Sequence, residues 1–251
     1  MNPTKSTHRI LVVAAHPDDE VLGCGGALAL HAARGDDVSV VILADGESSR
    51  GGSSDVRIAA RQSAAREAAS ILGVTRVLLH GLPDNRMDTL PLIEIVRLIE
   101  KHVAALNPDV LYTHHAGDLN VDHRVVHEAV VTACRPQAGH SVKTLLFFEI
   151  PSSTEWQVPG AAPVWQPNWF VDISAVVDKK LEALRAYDGE MRPWPHPRSY
   201  EAVEYLAHWR GASIGCSAAE AFILGRAILS DSAGAAPEAA LPKRDFTGTG
   251  S

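Results

Sequence analysis

Ile10-Leu11-Val12-Val13-Ala14-Ala15-His16-Pro17-Asp18-Asp19-Glu20 is the stretch from which the fold can be read. Its apolar head, Ile10 to Val13, is short, unbroken and rich in branched side chains, as suits a strand buried on both faces of a parallel sheet. The polar segment after it then lies on the loop leaving the strand's carboxyl end, where open α/β sheets place their ligands. From His16 to Glu20 that loop offers one imidazole and three carboxylates, with Pro17 restricting the backbone between them. In a turn closing into a helix, residues three apart share a side, so His16 and Asp19 can converge on one cation while Asp18 points elsewhere. The same acids would also serve to cap the N–H groups of a helix start. Adjacent carboxylates repel one another, and a bound cation or a change in pKa relieves that repulsion.

A second segment, Thr113-His114-His115-Ala116-Gly117-Asp118-Leu119-Asn120-Val121-Asp122-His123, follows another apolar run, Val110 to Tyr112, and so occupies an equivalent loop. His123 would join His16 and Asp19 as a His/Asp/His set. Three protein ligands with an open fourth position describe a catalytic zinc site rather than a structural one.

Between and beyond these loops the same unit recurs. A helix is expected over Val21 to Ala33, ended by Gly35, then a strand over Val38 to Leu43 and a polar loop from Ala44 to Ser54. Ile58, Ala65, Ala69 and Leu72 mark a second helix, Val77 to His80 a strand, and Leu92 to Leu106 an amphipathic helix broken at Asn107-Pro108. A helix should begin near Asp122, strands should follow at Leu145 to Ile150 and Trp169 to Ile173, and Ser174 should cap a helix reaching Tyr187. Arg192 to Ser199 is too rich in proline for regular structure, and Tyr200 to Trp209 resumes a helix. Ser217-Ala218-Ala219-Glu220 has the form of a capping box and predicts a last helix ending near Ile228. Alternating strands and helices imply a mostly parallel β-sheet flanked by helices in a single α/β domain. The domain is expected over residues 10–230, after an N-terminal extension of residues 1–9 and before a disordered tail at 231–251 rich in Ala, Gly, Pro, Ser and Thr.

Composition narrows the function. With 251 residues, 46% hydrophobic and 21% charged, the chain has the make-up of an ordinary soluble globular protein, and one α/β domain can accommodate this length. A formal charge of −7 and a pI near 5.9 give no electrostatic footprint for nucleic acid or an anionic membrane. The three cysteines, Cys24, Cys134 and Cys216, are scattered, which argues against a disulfide framework or a thiolate zinc site. The first apolar run is too short for a signal peptide or a membrane span, so a cytoplasmic location is expected.

His16-Pro17-Asp18-Asp19-Glu20 together with Asp122-His123 closely resembles the two signature motifs of the PIG-L/LmbE family of zinc-dependent de-N-acetylases. Arg210-Gly211 and Glu220-Ala221-Phe222 resemble its C-terminal part, so the likeness runs from about Ile10 to about Leu229. The resemblance implies a Rossmann-like α/β fold, one zinc per chain held by His16, Asp19 and His123, and hydrolysis of an N-acetyl group on an amino sugar or its conjugate. Asp18, beside a ligand without being one, is the expected general base. Asp122 is expected to orient His123 or a catalytic imidazole. Many family members carry a histidine where this chain has Asn120, whose amide can donate a hydrogen bond to an oxyanion but cannot transfer a proton. That duty is left to Asp18 alone or to a second imidazole, His196 or else His114 or His115.

Arg57, Arg61, Asp84, Arg86 and Asp88 lie on loops suited to sugar recognition, and Trp156, Trp165 or Trp194 offers a face for a pyranose ring. The small N-acetylated substrate is the expected partner, with room left for an oligomer. Two other readings compete. A nucleotide-binding oxidoreductase is suggested by Gly23 to Gly26 and Asp45, but those glycines lie ten residues past the strand and the intervening acids would repel a pyrophosphate. Asn120 also allows a non-catalytic sugar-binding protein, against which stands the retained Asp18. Amidase action on a larger N-acyl group or a thiol-sugar conjugate would use the same site.

Overall fold

The computed structural model describes residues 7–49 and 55–229. In chain order the elements are β1 (Arg9–Ala14), α1 (Asp19–Arg34), β2 (Asp37–Ala44), α2 (Asp55–Leu72), β3 (Arg76–Leu82), α3 (Leu92–Leu106), β4 (Val110–His114), α4 (Val121–Ala133), β5 (Thr144–Phe148), β6 (Trp169–Asp172), α5 (Val177–Arg185), α6 (Tyr200–Ala212) and β7 (Ala219–Ala227). They build a seven-stranded sheet in the order β3-β2-β1-β4-β5-β7-β6. From β3 to β5 all neighbours run parallel, while β7 is antiparallel to both β5 and β6. The expected single-domain, Rossmann-like α/β fold is therefore present. The expectations for residues 1–6, for part of the loop after β2 and for the tail fall outside the described residues. Among the described residues no helix is long and apolar enough to cross a membrane.

The run Ile10 to Ala15 alternates between two cores. Ile10, Val12 and Ala14 pack with side chains of α1, α2 and α5, whereas Leu11, Val13 and Ala15 pack with those of α3 and α4. Burial on both faces explains why no polar residue interrupts the strand. β1 also marks the reversal of winding. The chain steps outward from β1 to β2 and β3, then returns to the other side of β1 as β4. The carboxyl ends of β1 and β4 flank that switch point, so the loop carrying His16 and the first turn of α4 carrying His123 open into one crevice.

α1 differs from the uniform helix its periodicity predicts. It breaks at Cys24 (φ −147°, ψ 20°), and so places an internal helix start inside the core. Glu220 caps that start, its two oxygens accepting from Gly26 N and Ala27 N at 2.8 Å each. Lys180 satisfies the other side of the break, donating to Leu22 O at 2.8 Å and to Glu220 Oε1 at 2.7 Å. Gly23 is needed beside it, because a Cβ there would meet the Phe148 ring at 2.5 Å. The break at Cys24 is thus held from α5, β5 and β7.

The capping box at Ser217 to Glu220 does not start a helix. Ala219–Ala227 is β7, paired with β5 and β6. So short a segment has no periodicity that separates strand from helix, and here pairing with β5 on one side and β6 on the other, with the buried α1 break, decides the outcome. Glu220, read as a cap for its own helix, caps α1 instead.

Candidate functional site

Asp18 leaves β1 with φ 119° and ψ −27°. A non-glycine residue pays on the order of 1–3 kcal/mol for such a backbone. Hydrogen bonds hold it there: Asp18 N donates to Glu20 Oε2 at 3.1 Å, Leu22 N to Asp18 O at 2.9 Å, and His16 N to Asp19 Oδ2 at 2.8 Å. Glu20 is in turn held by the Tyr187 hydroxyl at 2.5 Å. The result is that adjacent carboxylates meet different company. Asp19 faces imidazoles, and Asp18 faces Arg198.

Asp19 Oδ2 lies 3.2 Å from His16 Nδ1 and 3.3 Å from His123 Nε2, and those two nitrogens are 3.2 Å apart. Three donors, two from the junction of β1 with α1 and one from the first turn of α4, thus form a nearly equilateral triangle, with His16 and His123 lying 107 positions apart. Tetrahedral bonds of about 2.0–2.1 Å to one ion would separate its donors by roughly 3.3 Å, so the set fits a cation of zinc's size without rearrangement. Charge agrees with shape. Burial disfavours a charged His16 or His123, yet Asp122 and Asp19 around the first, and Asp19 and Asp118 around the second, raise their pKa values to about 10 and about 9. Burial also opposes ionisation of Asp19, and the surrounding imidazoles overcome it and hold that carboxyl well below its usual range. The cluster is built to hold positive charge. Asp19 Oδ1 has no hydrogen-bond partner among the described residues.

His114 forms a wall of the site. Its ring stacks on His123 with centroids 4.0 Å apart, and its Nε2 accepts from Ala15 N at 2.9 Å. Burial and the neighbouring His123 push its pKa far down, so it is neutral with its proton on Nδ1.

Behind the triangle stand further carboxylates, distributed differently from the expectation for Asp122. Its Oδ2 lies 3.0 Å from His16 Nε2, and it accepts backbone hydrogen bonds from Asn85 at 2.7 Å and Met87 at 2.9 Å. Asp122 therefore backs His16, with Asp84 Oδ1 at 3.3 Å from the same nitrogen. Successive residues on α4 point about 100° apart, which turns Asp122 away from its sequence neighbour. The carboxylate behind His123 is Asp118, 3.0 Å from Nδ1. Asn120 is the N-cap of α4: its Oδ1 accepts from Asp122 N at 2.8 Å, and its Nδ2 donates to Asn85 Oδ1 at 2.9 Å.

Asp18 is only 1% exposed and pairs with Arg198 Nη1 at 2.7 Å. Burial raises its pKa, against the pull of Arg198. From the proline-rich loop it is thus Arg198 that touches this carboxylate. His196 uses Nδ1 to accept from Arg198 N at 3.0 Å, and its ring meets Trp156 edge-on at 5.5 Å. Arg61 is buried between Glu47 and Glu190, Arg57 reaches Glu47 at 3.2 Å, and these four line a cavity of about 250 Å³ with Tyr187. Arg86 and Asp88 are exposed on the turn after β3. Trp165 packs edge-on against His115 at 5.2 Å, and Trp194 lies against Tyr205 at 5.7 Å. Sequence reasoning passed over Asp118 and Arg198. A carboxylate in the same loop as a metal-facing histidine was a usable signal for the first, but nothing local marks the second.

Comparison with known proteins places this geometry. A family model described as PIG-L, GlcNAc-PI de-N-acetylase, matches residues 11–134, which include His16, Asp18, Asp19, Asp118 and His123. An uncharacterized deacetylase of Escherichia coli K12 is 33% identical over 149 residues, covering 57% of this chain and 75% of the relative. A probable N-acetyl-alpha-D-glucosaminyl L-malate deacetylase of Bacillus anthracis is 26% identical over 190 residues, covering 73% of this chain and 81% of the relative. Among solved structures, the 4-carboxy-2-hydroxymuconate hydratase of Pseudomonas putida superposes with a TM-score of 0.71 at 26% identity, over 88% of this chain and 98% of that one. With its motifs, sheet order and relatives in agreement, the chain belongs to the PIG-L family.

Proposed function

We propose that this chain is a zinc-dependent hydrolase that removes the N-acetyl group from an N-acetylated amino sugar or its conjugate. The observation that carries the reading is the donor triangle of His16, Asp19 and His123 with an unligated carboxylate, Asp18, one residue from its centre. His16, Asp19 and His123 would hold the cation. When bound, such an ion lowers the pKa of water and polarises an amide carbonyl. Asp18 then accepts a proton from the attacking water as the oxygen joins the acetyl carbon. It returns that proton to nitrogen as the C–N bond breaks, leaving acetate and a free amine.

Asp118, Asp122 and Asp84 keep the two imidazoles oriented, and Asn120 fixes the start of α4. We assign His196 and Asn120 to the rim that receives the acyl oxygen and the leaving amine. We assign Asp84, behind His16, together with Arg57, Arg61, Arg86 and Asp88 to the sugar contacts. The working domain is residues 10–230, and the free thiols of Cys24, Cys134 and Cys216 suit a cytoplasmic enzyme. The Bacillus anthracis relative's name points to N-acetylglucosamine joined to a small acid as the substrate class. The hydratase likeness favours one competing reading, in which the same activated water adds to a carbon–carbon double bond.

A panel of N-acetylated sugars, free and linked to nucleotide, lipid, thiol or hydroxy acid, assayed for free amine with and without a chelator, tests the proposal. Amine release that the chelator abolishes is expected. Release indifferent to chelation, or hydration of an unsaturated acid with no amine from any sugar, would overturn it.

A further inference from the structure

We propose that Arg198 is a positioning residue for this centre, gripping one oxygen of Asp18 so that the other is the oxygen offered to the attacking water. The inference rests on the reading of Asp18 as the base, and adds to it a residue 180 positions away. A carboxylate is nearly two-fold symmetric about its last torsion, whose energy surface is broad. Left alone in a buried site, the group would rock on that torsion, and each partial rotation would carry the proton acceptor out of line with the attacking water.

Here the oxygens are not equivalent. Oδ2 is bound by Arg198 Nη1 at 2.7 Å, while Oδ1 has no hydrogen-bond partner among the described residues. The guanidinium is itself fixed. Its Nε donates to Ser152 Oγ at 2.8 Å and approaches Pro151 O at 3.4 Å, so the group bridges the loop after β5 and the loop after β1. The backbone of Arg198 is held on both sides, its N–H by His196 Nδ1 at 3.0 Å and its carbonyl by Arg192 N at 3.0 Å. Pro193, Pro195 and Pro197 stiffen the loop in between. A planar fork holds the donors to Ser152 and Asp18 in one fixed geometry, whereas the donors of an ammonium rotate on a flexible stem and fix neither direction.

Full-length, metal-loaded Arg198→Ala and Arg198→Lys are compared with the wild type on whichever N-acetyl sugar is turned over, with metal content and thermal melting recorded alongside. For Arg198→Ala, kcat should fall about 100-fold, the scale of a misplaced catalytic group. KM should stay within about twofold, as befits loss of an interaction that acts in the transition state. Metal content should be unchanged, and millimolar guanidinium should restore part of kcat in Arg198→Ala but none in Asp18→Asn. Arg198→Lys should fall between the two and carries the test if the alanine variant does not fold. An unchanged kcat, a loss confined to KM, or loss of the metal would overturn the inference. Full turnover by Asp18→Asn would instead overturn the base assignment on which it stands.

Discussion

Nδ1 of His123 lies 3.0 Å from Oδ1 of Asp118, and that carboxylate is itself tied down on both oxygens. It accepts from Asn120 N at 2.9 Å, from Thr154 Oγ1 at 2.6 Å and from Ser153 Oγ. A carboxylate behind a metal-facing imidazole sets the tautomer, so that Nε2 presents its lone pair to the ion. Asp118→Asn should therefore weaken zinc binding by about 10- to 100-fold, the usual effect of removing such support. Competition against a chromophoric chelator measures it. Wild-type affinity in that variant would dissociate Asp118 from the centre.

Asp18→Asn separates base from ligand. The variant should keep its metal and lose turnover by about 10²- to 10⁴-fold, the range for general acid–base catalysis. Metal analysis and single-turnover kinetics on the same preparation check both halves. Loss of metal would move Asp18 into the ligand set.

The Lys180–Glu220 pair seals the break in α1 from β7 and α5, and both side chains are buried. Removing Lys180 strands the Glu220 carboxylate together with the Leu22 carbonyl, so Lys180→Met should cost about 3–5 kcal/mol. Urea unfolding gives the value. The double variant Lys180→Met/Glu220→Gln should recover part of it. A loss below about 1 kcal/mol, the scale of an exposed ion pair, would show that the break is held by packing alone.

Burial pushes the Cys134 thiol up to about 12 and the Cys24 thiol well above its usual range. For an acid, a raised pKa means the reactive thiolate is scarce until the pH approaches the new value. Native protein treated with iodoacetamide at pH 8 should be modified at Cys216 and spared at Cys24 and Cys134, with all three alkylated in urea. Peptide mass spectrometry reads the sites. Native labelling of Cys24 would show that the α1 break opens.

Much of this molecule is visible in one dimension because its information is local. The run Ile10 to Val13 needs no partner to announce a doubly buried strand, and a histidine three residues before an aspartate needs only a turn to bring them together. Asp122 shows where that ends. Adjacent to His123 in the chain, it backs His16 in space, since helical rotation outweighs sequence proximity.

The sequence by itself determined the α/β class and marked the two segments that hold His16, Asp19 and His123, because side-chain periodicity and short spacing are local. Tertiary structure alone decided that Ala219–Ala227 is a strand, that Glu220 closes a break in α1, that Arg198 pairs with Asp18 and that Asp118 lies behind His123. These depend on which surfaces meet after the sheet is wound. Contacts between residues 180 positions apart leave no periodic trace in the chain.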